Sequence, residues 1–202
     1  MDKEETIARR PAHRPSRRDD VLAAGTLEFV ERGFASVSVT DIAKRAGMTP
    51  AAVYYHFPTK EDVLLALVGR TGDAISELCS GALVEATGAE NAVTGLVDRF
   101  LSWLETHPAD ARLYYQSSQG ATADVEALRR DQRGHQVTAM LTGPLKPAEA
   151  SMSATELRVV AIALLVLFGE VTRLLSEGRP TKRHRDAVRA EAVDLGLRLV
   201  KP

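Results

Sequence analysis

The amino-acid sequence predicts an all-α fold, and three observations support this. Apolar residues recur at three- and four-residue spacing from Arg18 onward, the alternation typical of strands is absent, and glycines and prolines fall between the periodic segments. The chain has 202 residues and 45% apolar content, which is enough for one core, or for one core and a small satellite domain.

Several classes of protein are disfavoured by composition. A disulfide scaffold is excluded because Cys79 is the single cysteine, and we expect it to be a small buried filler on a helix. Residues 1–20 are polar and contain no apolar targeting segment, so we expect a cytoplasmic protein. The longest apolar run, Val159 to Phe168, is shorter than the roughly 20 residues that cross a bilayer. It predicts a buried helix and no membrane association.

Charge is distributed unevenly along a chain whose net charge is −1. Residues 9–60 carry a net charge of +4 and residues 61–202 a net charge of −3. A basic N-terminal part on a slightly acidic body is typical of a DNA-binding head, although a solvated charged tail would produce part of the same pattern. Residues 1–17, with four arginines and two prolines, predict a flexible basic arm.

Helix start and stop signals divide the N-terminal part into short helices. The first runs over about Arg18–Arg32 and ends at Gly33, and a capping box formed by Ser38 and Asp41 starts a second. Thr49 caps a third helix that begins with Pro50, and a fourth of about 20 residues begins after Thr59. Periodicity predicts further helices around residues 93–104 and over 109–119, 124–141, 153–177 and 183–200.

The second and third helices have the features of a helix-turn-helix. Ala43 is small enough to let the two helices cross closely, and Gly47 tolerates a positive φ in the sharp turn between them. Ile42 and Val53 supply the apolar contact that locks the pair. The segment from Thr49 to His56 is then expected to project outward as a recognition helix for the major groove.

The residues of this region resemble the DNA-binding domain of TetR-type regulators over about residues 18–67. The matching residues are Phe29, Glu31, Arg32, Gly33, Phe34, Val39, Asp41, Ile42, Ala43, Ala46, Gly47, Val53, Tyr54, His56, Phe57, Lys60 and Glu61. Glu28 departs from the family pattern, which has an apolar residue there, and this predicts a shifted packing of the first helix.

The resemblance implies a fold class and a function. The expected fold is an N-terminal three-helix DNA-binding domain over residues 18–60, after the arm of residues 1–17, joined to a helical ligand-binding and dimerisation domain over residues 61–202. The expected function is that of a transcription regulator, a repressor released from a palindromic operator in double-stranded DNA by a small-molecule effector. The alternatives are an activator, an architectural DNA-binding protein that needs no ligand, and a binding module whose head is vestigial.

The resemblance also assigns DNA-binding positions. These are Thr40, Thr49, Pro50, Ala51, Ala52, Tyr54, Tyr55, His56 and Lys60. The front of the recognition helix offers mainly apolar contacts, for example to thymine methyl groups, and the later residues offer contacts to phosphate and sugar. Some of these residues also have a purely structural interpretation. Tyr54 could be a core aromatic, His56 a packing residue and Lys60 a solvated charge at the start of a helix. The arm either reaches the minor groove or is a disordered tail.

Two further expectations concern the body. Residues 155–175 are apolar on every face and the last helix carries two apolar stripes, so a homodimer through about residues 155–200 is expected, the alternative being that both helices are interior to a monomer. A mixture of aromatic and polar residues is expected to supply a ligand cavity, about half of them as walls and the rest as core. The candidates are Phe100, Trp103, Leu104, Tyr114, Tyr115, Gln116, His135, Met140 and Phe168.

An enzyme is the main competing class. The five histidines are scattered without metal-ligand spacing, and the sequence has no phosphate-binding loop, dinucleotide fingerprint or nucleophile elbow. We therefore expect no catalytic residue, no metal and no cofactor.

Overall fold

The computed structural model describes residues 17–81, 88–146, 148, 151–178 and 180–200, and within these ranges every regular element is helical. The α-helices are α1 (Arg17–Arg32), α2 (Val39–Arg45), α3 (Pro50–His56), α4 (Lys60–Ser80), α5 (Ala89–Thr106), α6 (Pro108–Arg112), α7 (Ala123–Thr142), α8 (Ala154–Ser176) and α9 (Lys182–Val200). The all-α prediction is confirmed. The predicted arm lies outside the described residues except for Arg17, which is the first residue of α1.

Helices α1 to α3 form a small N-terminal unit, here called the head. Each helix contributes one fully buried residue to the core of the head. These residues are Phe29 of α1, Ile42 of α2 and Val53 of α3. Gly47 has a φ of 63°, which only glycine adopts freely, so the sharp turn after α2 depends on it. The predicted helix-turn-helix packing is therefore confirmed.

Helices α4 to α9 form the body. Helix α4 packs along α7, α5 packs along α9, and α8 lies between α7 and α9. The rings of Phe100 in α5 and Phe168 in α8 stack with 4.1 Å between centroids and mark the centre of this core. Gln132 joins α7 to α4 by donating its side-chain amide to the carbonyl of Gly69 at 2.9 Å.

The segment predicted as one helix over residues 109–119 is two elements. Helix α6 ends at Arg112, and a π-helical segment follows over Leu113–Ser117. Its hydrogen bond from Ser118 N to Leu113 O, at 3.0 Å, spans five residues instead of four. A π segment widens the turn and re-aims the side chains that it carries, which here include Tyr114, Tyr115 and Gln116.

Helix α8 corrects one expectation. Its apolar run was predicted to be buried, but Val159 and Val166 are 60% and 62% exposed and Ile162 is 38% exposed. These residues share one face of α8, which the described part of the chain leaves uncovered. By length and composition α8 could also span a bilayer, which is weak evidence because the core helix of a soluble protein passes the same test.

Candidate nucleic-acid interface and internal cavity

The two helices of the helix-turn-helix begin at side-chain caps. Ser38 Oγ accepts from Asp41 N at 3.2 Å, and the Asp41 carboxylate accepts from Ser38 N at 2.9 Å. Hydrogen bonds from Ser38, its hydroxyl first, hold the pKa of Asp41 well below its usual range. Thr49 Oγ1 accepts from Ala52 N at 3.2 Å and so fixes the first residue of α3. Both predicted caps are confirmed.

A charged network fixes α1 against α2. Glu28 is 6% exposed and accepts from Arg45 Nε at 2.6 Å and from Arg32 Nη1 at 3.0 Å. Arg45 also pairs with Glu31, and Arg32 lies 3.0 Å from Asp41. The hydrogen bond from Arg45 is the largest cause that lowers the pKa of Glu28, against the effect of burial. A buried carboxylate with two guanidinium partners thus replaces the apolar contact at this position.

The outer face of the helix pair carries most of the candidate DNA-binding residues. Those exposed to solvent are Thr40, Thr49, Pro50, Ala51, Tyr54 and Tyr55, whereas Ala52 and His56 are half-buried. Tyr54 is 52% exposed, so the alternative that it is a core aromatic is wrong. The rings of Tyr55 and His56 meet edge to face, with 5.2 Å between their centroids. Val53, on the same helix, is fully buried in the core.

Lys60 behaves differently from its neighbours. Its ammonium donates to the carbonyl oxygens of Phe34 at 3.0 Å and Val37 at 2.9 Å, and it lies 4.5 Å from the centre of the Phe34 ring. These contacts hold the turn between α1 and α2 against the start of α4. A phosphate contact from Lys60 requires the ammonium to be shared with these carbonyls or released from them.

A cavity of about 460 Å³ lies in the body between α7, α8 and the π segment. Its walls are Tyr114, Tyr115, Gln116, Gln119, Arg129, Arg133, Gln136, Leu165, Val166, Gly169, Glu170 and Arg173. The volume falls within the range of small-molecule sites. A Cβ added at Gly169 would lie 3.2 Å from the Tyr115 ring, so α8 approaches this wall closely because it has no side chain there.

Three of the candidate cavity residues, all on the π segment, line this cavity. They are Tyr114, Tyr115 and Gln116. Phe100 meets the edge of the Tyr115 ring at 6.0 Å and, with Phe168, packs behind the wall in the core. The remaining candidates lie elsewhere: Trp103 stacks on His107, Leu104 and Met140 are buried, and His135 has a side chain that is 71% exposed.

The sequence alone did not predict that polar side chains of α7 line the cavity. Arg129 and Gln136 are buried on the same stripe of α7 as Val125 and Met140. Polar residues at positions that continue an apolar stripe were the available signal, because such positions face the interior. Burial lowers the pKa of Arg129, and it raises that of Tyr115 well above its ordinary value.

Known proteins resemble the chain in both parts. The model of bacterial regulatory proteins of the tetR family matches residues 21–67. The HTH-type transcriptional activator FasR from Mycolicibacterium smegmatis is 25% identical over 168 residues, which cover 83% of this chain and 76% of that protein.

Solved structures give the same fold. A tetR-family regulatory protein from Rhodococcus RHA1 superposes with a TM-score of 0.77 at 20% identity, over 93% of this chain and 98% of that one. The fatty acid degradation regulator FadR from Bacillus halodurans superposes with a TM-score of 0.76 at 19% identity, over 92% of this chain and 97% of that one.

The capped helix pair with an exposed second helix, together with these matches, identifies the N-terminal part of the chain as a helix-turn-helix DNA-binding unit of a transcription regulator. Residues 21–67, which contain this helix pair, match the model of bacterial regulatory proteins of the tetR family.

Proposed function

We propose that this chain is a cytoplasmic homodimeric repressor that leaves a palindromic operator when a small molecule occupies the cavity. In this proposal residues 18–60 form the DNA-binding domain and residues 61–202 the ligand-binding and dimerisation domain. The observation that carries the proposal is the exposed face of α3, a helix that begins at the Thr49 cap and is anchored in the core of the head by buried Val53.

The contacts to DNA follow from the chemistry of that face. The hydroxyl of Thr49 accepts from Ala52 N and keeps its own proton available for a phosphate oxygen. Pro50 and Ala51 offer only apolar surface to base edges, so operator selection rests on thymine methyl groups and on DNA shape. Tyr54 and Tyr55 supply exposed hydroxyls for the sugar-phosphate backbone.

Replacement of Tyr54 tests the DNA-binding face. Because Tyr54 is half exposed, Tyr54→Ala should change stability by no more than about 0.5 kcal/mol, while operator binding weakens by about 1–2 kcal/mol. Gel shifts and thermal melts measure both quantities once the operator has been recovered by genome-wide sequencing of bound DNA. Leu27→Ala, at an exposed position of the head outside this face, is the control, and normal operator affinity of Tyr54→Ala contradicts the assignment.

Dimerisation is supported by the uncovered apolar face. Val159, Ile162 and Val166 on α8 are exposed, as is Leu195 on α9, and a second copy of the same face would cover them. Two heads are then available for the two half-sites of a palindrome. Val159→Asp should give a monomer by light scattering without unfolding the chain, whereas Ser102→Asp, on an exposed position of α5, should stay dimeric. A wild-type monomer at micromolar concentration contradicts the proposal.

Contacts between body and head support a release mechanism. Asp110 at α6 accepts from Thr26 of α1 and from Arg70 of α4, both at 3.3 Å, and α6 continues directly into the cavity wall. Val166 belongs both to the cavity and to the uncovered face. A ligand that fits one subunit arrangement better shifts the population away from the DNA-binding arrangement.

Activation is the second candidate, because the relative FasR is a transcriptional activator. In-vitro transcription from the recovered operator distinguishes the two: added protein lowers transcript under repression and raises it under activation. A regulator that needs no ligand would bind the operator equally well with and without every compound that binds the cavity.

A further inference from the structure

We propose that the effector is a compact organic acid, whose carboxylate binds Arg129 and the donors of the π segment while its apolar part lies against α8. This inference rests on the proposed function, since it takes the cavity to be the effector site. It adds the chemical class of the ligand, which follows from the charges and unused donors of the walls.

Arg129 is the central group because its charge is buried and has no ion-pair partner among the described residues. The residue is 8% exposed, and its Nη1 donates to the carbonyl oxygen of Tyr114 and, at 3.0 Å, to Ser118 Oγ. Both acceptors are neutral. Among the described residues no carboxylate forms an ion pair with Arg129, and Glu126, one turn earlier on α7, instead accepts from Gly120 N at 2.8 Å. A buried guanidinium of this kind is stabilised by an anion that reaches its remaining N–H groups.

Two further donors are buried at the same wall without an acceptor. Tyr115 Oη and Gln116 Nε2 have no hydrogen-bond partner, and both residues line the cavity next to Arg129. Buried polar atoms in folded proteins are almost always paired, so unpaired donors on a cavity wall indicate a partner that occupies the cavity. A carboxylate has two oxygens that accept from several donors at once.

The other charged side chains of the cavity do not neutralise the positive charge of Arg129. Glu170, the one acidic side chain among the described cavity walls, is paired with Arg173, and this hydrogen bond lowers the pKa of Glu170. Arg133, exposed at the mouth, adds a second guanidinium without an acidic partner in the part of the chain described. The free charge of the cavity is therefore positive, which attracts anions and repels amines.

The remaining walls determine the chemistry of the part of the ligand that lies away from its carboxylate. Leu165, Val166 and Gly169 on α8 form an apolar part of the wall, and Tyr114 and Tyr115 of the π segment add aromatic rings. An inorganic anion would leave this apolar surface unfilled within a cavity of about 460 Å³. The walls thus fit a molecule with one anionic end and one apolar end.

Matched acid and amide probes test the inference on the full-length protein. Calorimetry should show that 3-phenylpropanoate or octanoate binds at least about tenfold more tightly than 3-phenylpropanamide or octanamide, because the amide lacks the charge that pairs with Arg129. Arg129→Gln should reduce this preference to less than about threefold. Arg130→Gln is the matched control, since Arg130 is exposed on the same helix outside the cavity walls and should keep the full preference.

A second variant covers the possibility that Arg129→Gln does not fold. Tyr115→Phe removes only the unpaired hydroxyl and should weaken binding of the acids severalfold more than that of the amides. The inference is overturned by equal binding of acid and amide to the wild type, by binding of neither acid at millimolar concentration, or by an unchanged preference in folded Arg129→Gln. Operator gel shifts run in parallel separate the two levels, because loss of operator binding by the wild type contradicts the proposed function itself.

Discussion

The head and the body differ in whether their buried polar groups have hydrogen-bond partners. In the head, Glu28 has two guanidinium partners, and the carbonyl oxygens of three residues after α1 accept from Lys60 at the start of α4. In the body, the Tyr115 hydroxyl and the Gln116 amide are buried unpaired, and so is the hydroxyl of Thr71 on α4. Over the described residues, α1 to α3 contain no such atom. The described part of the head thus satisfies its own buried polar groups, whereas the cavity wall leaves donors that the proposed ligand would pair.

The largest expected effect breaks the paired network of the head. Glu28→Ala should lower the free energy of unfolding by about 1–3 kcal/mol, because it removes two hydrogen bonds between charged groups and leaves Arg45 half paired. Chemical denaturation measures the change. Glu31→Ala, which removes the exposed partner of the same arginine, is the control and should cost less than about 1 kcal/mol. Equal losses from both variants would show that burial of Glu28 does not matter.

The opposite sign is expected at the cavity wall. Tyr115→Phe should raise the free energy of unfolding of the ligand-free protein by about 1 kcal/mol, because it removes a buried hydroxyl that has no partner. The same denaturation experiment measures it. A loss of stability in this variant would mean that the hydroxyl is paired in solution and would weaken the contrast between the two regions.

A smaller effect is expected where head and body meet. Asp110→Ala should lower stability by less than about 1 kcal/mol, since the ion pair with Arg70 is partly exposed, yet it should reduce the effect of a bound ligand on operator affinity by about 0.5–2 kcal/mol. Gel shifts with and without ligand measure this coupling. Asp98→Ala, whose partner Arg189 lies within the body, is the control and should leave the coupling unchanged.

The smallest effect concerns Cys79, which tests how tightly α4 is packed in the body. Burial raises the pKa of its thiol to about 12, so near neutral pH almost none of it is the reactive thiolate, and the thiolate fraction grows only as pH rises toward that value. A disulfide-exchange reagent should label Cys79 in denaturant and hardly at all in the native protein. Rapid native labelling would show that the folded protein exposes this part of α4 to the reagent.

The sequence predicted those parts of the molecule whose determinants are local. Ser38 and Asp41, or Thr49 and Pro50, are a few residues apart, so the chain itself shows where α2 and α3 begin. Glu28 and Arg45 are 17 residues apart, and only the packed head shows that they meet. The apolar, polar and aromatic residues of the α6 region predicted a regular helix, because nothing in the pattern distinguishes a five-residue turn from a four-residue one.

The same limit applies to the cavity. The cluster of aromatic and polar residues at Tyr114, Tyr115 and Gln116 predicts a cavity wall, and these three residues line the cavity. The sequence does not predict the same for Arg129, because an arginine on a helix is ordinarily at the surface. Its burial depends on how α7 is rotated against α4 and the π segment. His135 shows the converse, because only that rotation reveals that it faces solvent.

The missing side chain at Gly169 is a point at which the cavity can be altered by one substitution. A methyl group added there would lie 3.2 Å from the Tyr115 ring, so the ring would have to move by a few tenths of an ångström, and the methyl group would occupy part of the cavity. If the cavity is the effector site, as proposed, Gly169→Ala would change which ligands fit without altering the DNA-binding face. The position is the natural first choice for building a sensor selective for smaller molecules.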